Sequence, residues 1–103
     1  MQRLTIDAYV TDVLMPDLVG HDRRPAAFVV YLFLWKESRR APRRRLRVSH
    51  RMVADETGLS KSAVQAAVRL LRGRQLLRSR QATRTAVPEY EVLRPWVRPP
   101  RTG

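Results

Sequence analysis

Residues 48–77, VSHRMVADETGLSKSAVQAAVRLLRGRQLL, repeat their apolar side chains at helical spacing, break, and resume. Val53, Ala54 and Thr57 share one face of a short helix, and Ser49 stands where its hydroxyl can cap the start. Gly58 interrupts the pattern and Leu59 plugs the turn. Ser60 then opens a longer helix in which Ala63, Val64, Ala67, Val68 and Leu71 return at steps of three and four. The expectation is two helices crossing at a tight turn, with the small residues of the second packed inward and Lys61, Ser62, Gln65, Arg69 and Arg72 left outward.

Residues 26–37, AAFVVYLFLWKE, are apolar nearly all round. Phe28, Tyr31, Leu32 and Trp35 fall on one side, Val29, Phe33 and Lys36 on another. The β-branched and aromatic content also suits a strand, but the length and the polar ending favour a buried helix, with Pro25 as its first residue. Such a helix needs cover on two sides, from the two-helix unit and from the amino-terminal residues. Its apolar run is about ten residues, roughly half a membrane span. Asp7 and Asp12 interrupt the amino terminus, so neither a membrane partner nor a secretory leader is expected.

The remaining segments are shorter. In residues 1–15, Leu4, Ile6, Ala8 and Val10 alternate as in a half-buried strand, while residues 8–15 suit a short helix equally; residues 15–17 and 19–22 read as turns. Leu46 and Val48 flank Arg47 in a very short strand pattern. Beyond Leu71, Arg72, Gly73 and Arg74 form a helix stop. A strand follows over residues 76–80, then a polar turn with Arg84 near its tip, and a returning strand over residues 86–93 that tolerates Pro88 only at an edge or bulge. The fold class is therefore mainly α with a small β wing: a three-helix core plus a two- or three-stranded antiparallel sheet. It divides into an arm over residues 1–22, a domain over 23–98 and a disordered tail over 99–103, with Trp96 and Val97 folding back on the core.

Charge is what points outward from this fold. The chain of 103 residues has a net charge of +12 and no cysteine, which removes disulfides and thiolate zinc sites. Arg3 meets Asp7, Asp12, Asp17 and Asp22 in residues 1–22, a net of −3, so the remainder carries +15. A field of that strength attracts polyanions. Arg43, Arg44 and Arg45 follow Pro42 in a loop that can clamp phosphate, and His50 and Arg51 stand at the start of the first helix of the pair. Glutamine suits adenine, arginine suits guanine, and a helix start such as Ser60 suits phosphate. The inventory for catalysis is thin. His21 and His50 lie in different contexts, a metal would need carboxylates brought in from afar, Asp55 and Glu56 point to different faces, and there is no glycine-rich phosphate loop. No enzyme activity, metal or cofactor is expected.

The stretch VADETGLSKSAVQAAVRLLRGRQLLRSR resembles the helix-turn-helix and early wing of bacterial winged-helix regulators: an apolar-Ala pair, a Thr-Gly-apolar-Ser turn, a helix with repeating Val and apolar positions, then Gly and a Leu-Leu strand. The resemblance implies that Ala54 is the close-contact residue of the positioning helix, that Gly58 and Leu59 make the turn, and that Ser60 begins the recognition helix. It further implies that Ser62, Gln65 and Arg69 face the groove of double-stranded DNA, and that Arg78, Arg80 and Arg84 belong to the wing. One departure is that the glycine before the Leu-Leu strand is displaced to Gly73, with Arg74 and Gln75 after it. The function expected is a cytoplasmic, nucleoid-associated regulator of transcription that binds DNA, with a homodimer formed through the amino-terminal arm. The alternatives are a winged-helix module that docks a protein partner through that arm, or a nonspecific nucleic-acid binder in a replication or phage assembly.

Overall fold

Helix α1, Pro25–Arg40, carries the core. Its proline sits in the first turn, where the missing N–H leaves no hydrogen bond unmade. Ala27, Val30, Tyr31, Leu34 and Trp35 are at most 1 % exposed, and Phe28 and Phe33 are also buried, so the helix is covered round most of its girth. It runs a turn past the expected end at Glu37, because only Pro42 stops it; Ala41 before that proline is already extended. A computed structural model describes residues 3–97, so the tail over 99–103 lies outside the described residues.

From residue 8 the amino-terminal cover is helical, which settles the choice between strand and helix there and overturns the reading of residues 15–17 and 19–22 as turns. Val10–Leu14 and Pro16–His21 form wide π-type turns, closed by the N–H of Met15 donating to the Val10 carbonyl and that of Asp22 to the Asp17 carbonyl. Pro16 has no N–H and pushes away the carbonyl four residues before it, which a widened turn accommodates. Val10, Leu14 and Leu18, four residues apart, enter the core at 0 %, 3 % and 0 % exposure.

The two-helix unit forms as its pattern dictates. Helix α2, His50–Thr57, is capped by the Ser49 hydroxyl, which accepts from the Met52 N–H at 3.0 Å. Helix α3, Lys61–Gly73, is capped by the Ser60 hydroxyl, which accepts from the Ala63 N–H at 3.1 Å. Between them Gly58 takes a left-handed conformation (φ 82°), and Thr57 donates to the Val53 carbonyl at 2.6 Å while accepting from the Leu59 N–H at 3.3 Å. Val64, Ala67, Val68 and Leu71 are buried; Ala63 is only half-buried, at the edge of that face.

The end of α3 explains the displaced glycine. Gly73 is still helical, and Gln75 takes the left-handed position (φ 57°). The Leu76 N–H donates to the Leu71 carbonyl at 2.9 Å and the Gln75 N–H to the Arg72 carbonyl at 3.0 Å, the paired bonds of a Schellman cap, with Leu76 and Leu71 buried together.

Strand β1, Arg45–Arg47, strand β2, Leu77–Arg80, and strand β3, Glu89–Val92, make an antiparallel sheet of order β1-β3-β2. The three-stranded alternative is the one observed. Strand β3 starts later than expected because Pro88 cannot donate to the ladder. Leu46 pairs with Tyr90, and Tyr90 with Ser79, on the face that α1 and α3 cover.

Both ends of the described chain meet over α1. Asp7 accepts from Arg94 Nε at 3.0 Å and from Trp96 Nε1 at 2.9 Å, while Trp35 Nε1 donates to the Thr5 carbonyl at 2.9 Å. Trp96 lies between Tyr9 and Trp35, with ring centroids 4.6 and 6.3 Å away. Trp96 thus folds back on the core as expected, whereas Val97 stays exposed.

The fold makes three predictions. The Trp96 and Arg94 bonds hold the Asp7 carboxyl below its ordinary value of 3.8, so its contribution is complete above that pH and lost as pH falls through the lowered value. Asp7→Asn should lower stability by about 1 kcal/mol at pH 7 and flatten the acid limb of a denaturation series, a charged hydrogen bond being exchanged for a neutral one. Gln75→Gly should raise stability by about 1 kcal/mol by relieving the left-handed conformation, whereas Gly58→Ala should lower it by a similar amount although the added methyl meets nothing within 4 Å. Thermal melts of the two variants check both signs.

Candidate nucleic-acid interface

Along α3 the exposed residues Lys61, Gln65, Arg69 and Arg72 fall at steps of four, four and three, which stacks them as one stripe beside the buried face of Val64, Ala67, Val68 and Leu71, with Val68 at the seam between the two. The stripe forms one wall of an open cleft of about 640 Å³. Ser49, His50 and Arg51 form its end, and the inner edge of the wing, with Ser79, Gln81, Thr85, Ala86 and Val87, forms the other wall. Its lining cations are Arg51, Lys61, Arg69 and Arg72, with no acidic side chain among the lining residues.

His50 is fixed in this cleft. Its Nε2 lies 2.9 Å from the Tyr90 hydroxyl, which ties the start of α2 to the middle strand. Partial burial, and then the Lys61 ammonium, hold the imidazole below its ordinary 6.5, so it is mostly neutral at pH 7 and can share a proton with Tyr90. Burial likewise pushes the Tyr90 hydroxyl up, against a smaller opposing effect of Arg72, and keeps it protonated.

The structure divides the expected site residues into groups. Lys61, Gln65, Arg69, Arg72, His50 and Arg51 line the cleft together. Ser60 and Ser62 are exposed at the start of α3 outside the cleft lining, their hydroxyls 3.2 Å apart, and Ser60 is engaged in its cap. Arg84 is exposed in the turn over residues 83–86, closed by the Ala86 N–H donating to the Thr83 carbonyl at 3.2 Å and braced by Gln81 Nε2 donating to the Ala86 carbonyl at 2.7 Å. Arg78 and Arg80 are elsewhere. Their neighbours Leu77 and Ser79 point toward the helices, so strand alternation turns both arginines to the opposite face of the sheet, where Arg45 also lies. Arg43 and Arg44 are exposed in the 3₁₀ turn Pro42–Arg44 leading into β1.

Ser79, Gln81 and Tyr90 were not singled out in the sequence as site residues. The alternation of Ser79 with Arg78 and Arg80 carried the signal, but the double leucine before it left the parity open.

Elsewhere the structure brings His21 beside Asp17 and Asp22, with one ligand atom of each within 4.8 Å of the others. The carboxylates nearest a histidine are therefore local in sequence rather than distant. Arg74 pairs with the Oδ2 atoms of both aspartates, while the His21 ring faces their Oδ1 atoms.

Compared with protein-family models, with curated proteins and with solved structures, the chain gives no match.

A titration checks the cleft. The His50 imidazole should titrate below 6.5 in an NMR pH series, and Lys61→Ala should move it upward by removing a like charge. Because the neutral form is the one the folded state favours, stability associated with His50 is present above 6.5 and is lost as pH falls through the lowered value.

Proposed function

We propose that the chain binds double-stranded DNA, with α3 in the major groove and the wing beside it, as a regulator of transcription. The observation that carries this reading is the single stripe of Lys61, Gln65, Arg69 and Arg72, exposed along a capped helix whose other face is locked into the core. Gln65 offers the donor and acceptor pair that matches adenine, and Arg69 the fork that matches guanine. Lys61, Arg51 and Arg72 supply charge for the phosphates on either side, and the exposed Arg84 at the wing tip reaches the adjoining backbone. The net charge of +12 favours association with a polyanion. The activity is recognition rather than catalysis, and it places the chain with the DNA of a bacterial cell.

A second reading has its own observation. Leu4, Tyr9, Val13, Met15 and Val19 leave apolar surface exposed along the amino-terminal segment, which suits a protein partner or a second copy of the chain.

Selection of a randomised duplex pool at two salt concentrations tests the first reading. An enriched motif that survives the higher salt is the expected result; no retention near physiological salt contradicts it. Arg69→Ala should weaken binding to the enriched site by about 1–3 kcal/mol and relax the preference at one base pair, the loss expected for a bidentate contact. An equal loss on every sequence would show that Arg69 touches phosphate only.

A further inference from the structure

The outer face of the sheet carries a charge pattern that the α3 cleft does not use. Strand register sets Arg45, Glu91 and Arg78 in one cross-strand row, and Arg47, Glu89 and Arg80 in the next. Alternation turns all six away from the helices, since the intervening Leu46, Tyr90 and Ser79 face inward. Within each row one arginine is neutralised: Arg78 donates to Glu91 at 3.1 Å, and Arg47 lies 3.7 Å from Glu89. Arg45 and Arg80 have no carboxylate within ion-pair distance among the described residues, nor do Arg43 and Arg44 in the preceding turn.

The chemistry of this face suits one class of partner. It offers guanidinium forks rather than the buried aromatic anchors that dominate protein interfaces, and forks of this kind suit phosphate oxygens two at a time. Arg43 and Arg44, exposed in the turn that leads into β1, extend the unpaired charge beyond the strands.

We propose that this face is a second nucleic-acid surface, which takes the phosphodiester backbone of another DNA segment while α3 holds the first, so that one chain bridges two duplexes. The inference rests on the reading of α3 as a DNA-binding helix. Because the arginines point away from the cleft, a straight duplex seated against α3 leaves them free. Neighbouring rows are roughly 7 Å apart along the strands, and the outer strands roughly 10 Å apart, a patch the width of one backbone track. The two glutamates offset part of the positive charge of this face, which keeps the second contact weaker than the first, and phosphate contacts keep it sequence-independent.

The test immobilises one duplex, loads the full chain at low salt, and measures recruitment of a second, fluorescent duplex of unrelated sequence. Wild type should recruit it, and the triple change Arg44→Gln, Arg45→Gln, Arg80→Gln should reduce recruitment about tenfold or more while first-duplex binding changes far less, as expected for loss of several phosphate contacts. Glu89→Gln with Glu91→Gln should increase recruitment, which a merely structural role for these pairs does not explain. Retention on the first duplex without recruitment overturns the bridging proposal alone. Equal loss of both activities in the arginine variant overturns it too, since the two faces would then be one site. Recruitment undiminished in that variant points to bridging by a dimer and also refutes the proposal, as does capture of polyglutamate in preference to DNA. If no first duplex is retained at all, the reading of α3 fails and takes the bridging with it.

Discussion

The burial of α1 governs the rest of the molecule. A sixteen-residue helix that is apolar on nearly every side has to be covered on nearly every side, and each other element is placed by that demand. Helices α2 and α3 cover one flank, the π-type segment with Val10, Leu14 and Leu18 a second, and Tyr90 with Leu46 from the sheet a third. At roughly 25 cal/mol per Å² of apolar surface removed from water, side chains the size of Trp35, Tyr31 and Leu34 each contribute on the order of 2 kcal/mol. The polar atoms that this burial draws in are satisfied: the Tyr31 hydroxyl donates to the Leu93 carbonyl at 3.0 Å, and Ser38 to the Trp35 carbonyl at 2.9 Å. With α1 enclosed, α3 is held by one face only, and its other face is free to carry chemistry.

Charge is distributed with the same economy of position. Of the four aspartates of residues 1–22, three are paired within the fold: Asp7 with Arg94, and Asp17 and Asp22 with Arg74. These ion pairs close the amino-terminal segment onto the end of α3 and onto the residues after β3. Two of the basic surfaces that remain are the α3 cleft and the outer sheet face, separated by the thickness of the sheet.

How much of this could be read in the sequence depends on whether the cause was local. The α2–α3 unit was legible because periodicity, two serine caps and Gly58 all act within a few residues, and the outward Lys61, Gln65, Arg69 and Arg72 follow from the same period. The helical form of residues 16–21 was not, since Pro16 and Gly20 carry turn propensity and only the burial of Leu18 and the pairing with Arg74 override it. Nor were the bonds of Asp7, whose partners Arg94 and Trp96 stand 87 and 89 residues away. The placing of Arg78 and Arg80 turned on one residue of register: Leu76 and Leu77 are both buried, so the pattern alone did not say which of them opens the inward parity.

Amide chemical shifts of the isotopically labelled chain, followed as an unlabelled duplex is added, test the central claim most directly. Binding through α3 predicts the largest changes at Lys61, Gln65, Arg69 and Arg72, at residues 49–51 and along the inner wing at 79–87, with the amino-terminal segment nearly still. Changes confined to that segment, around Tyr9, Val13 and Val19, or no change at all at moderate salt, would contradict the account and leave α3 as an ordinary solvated helix.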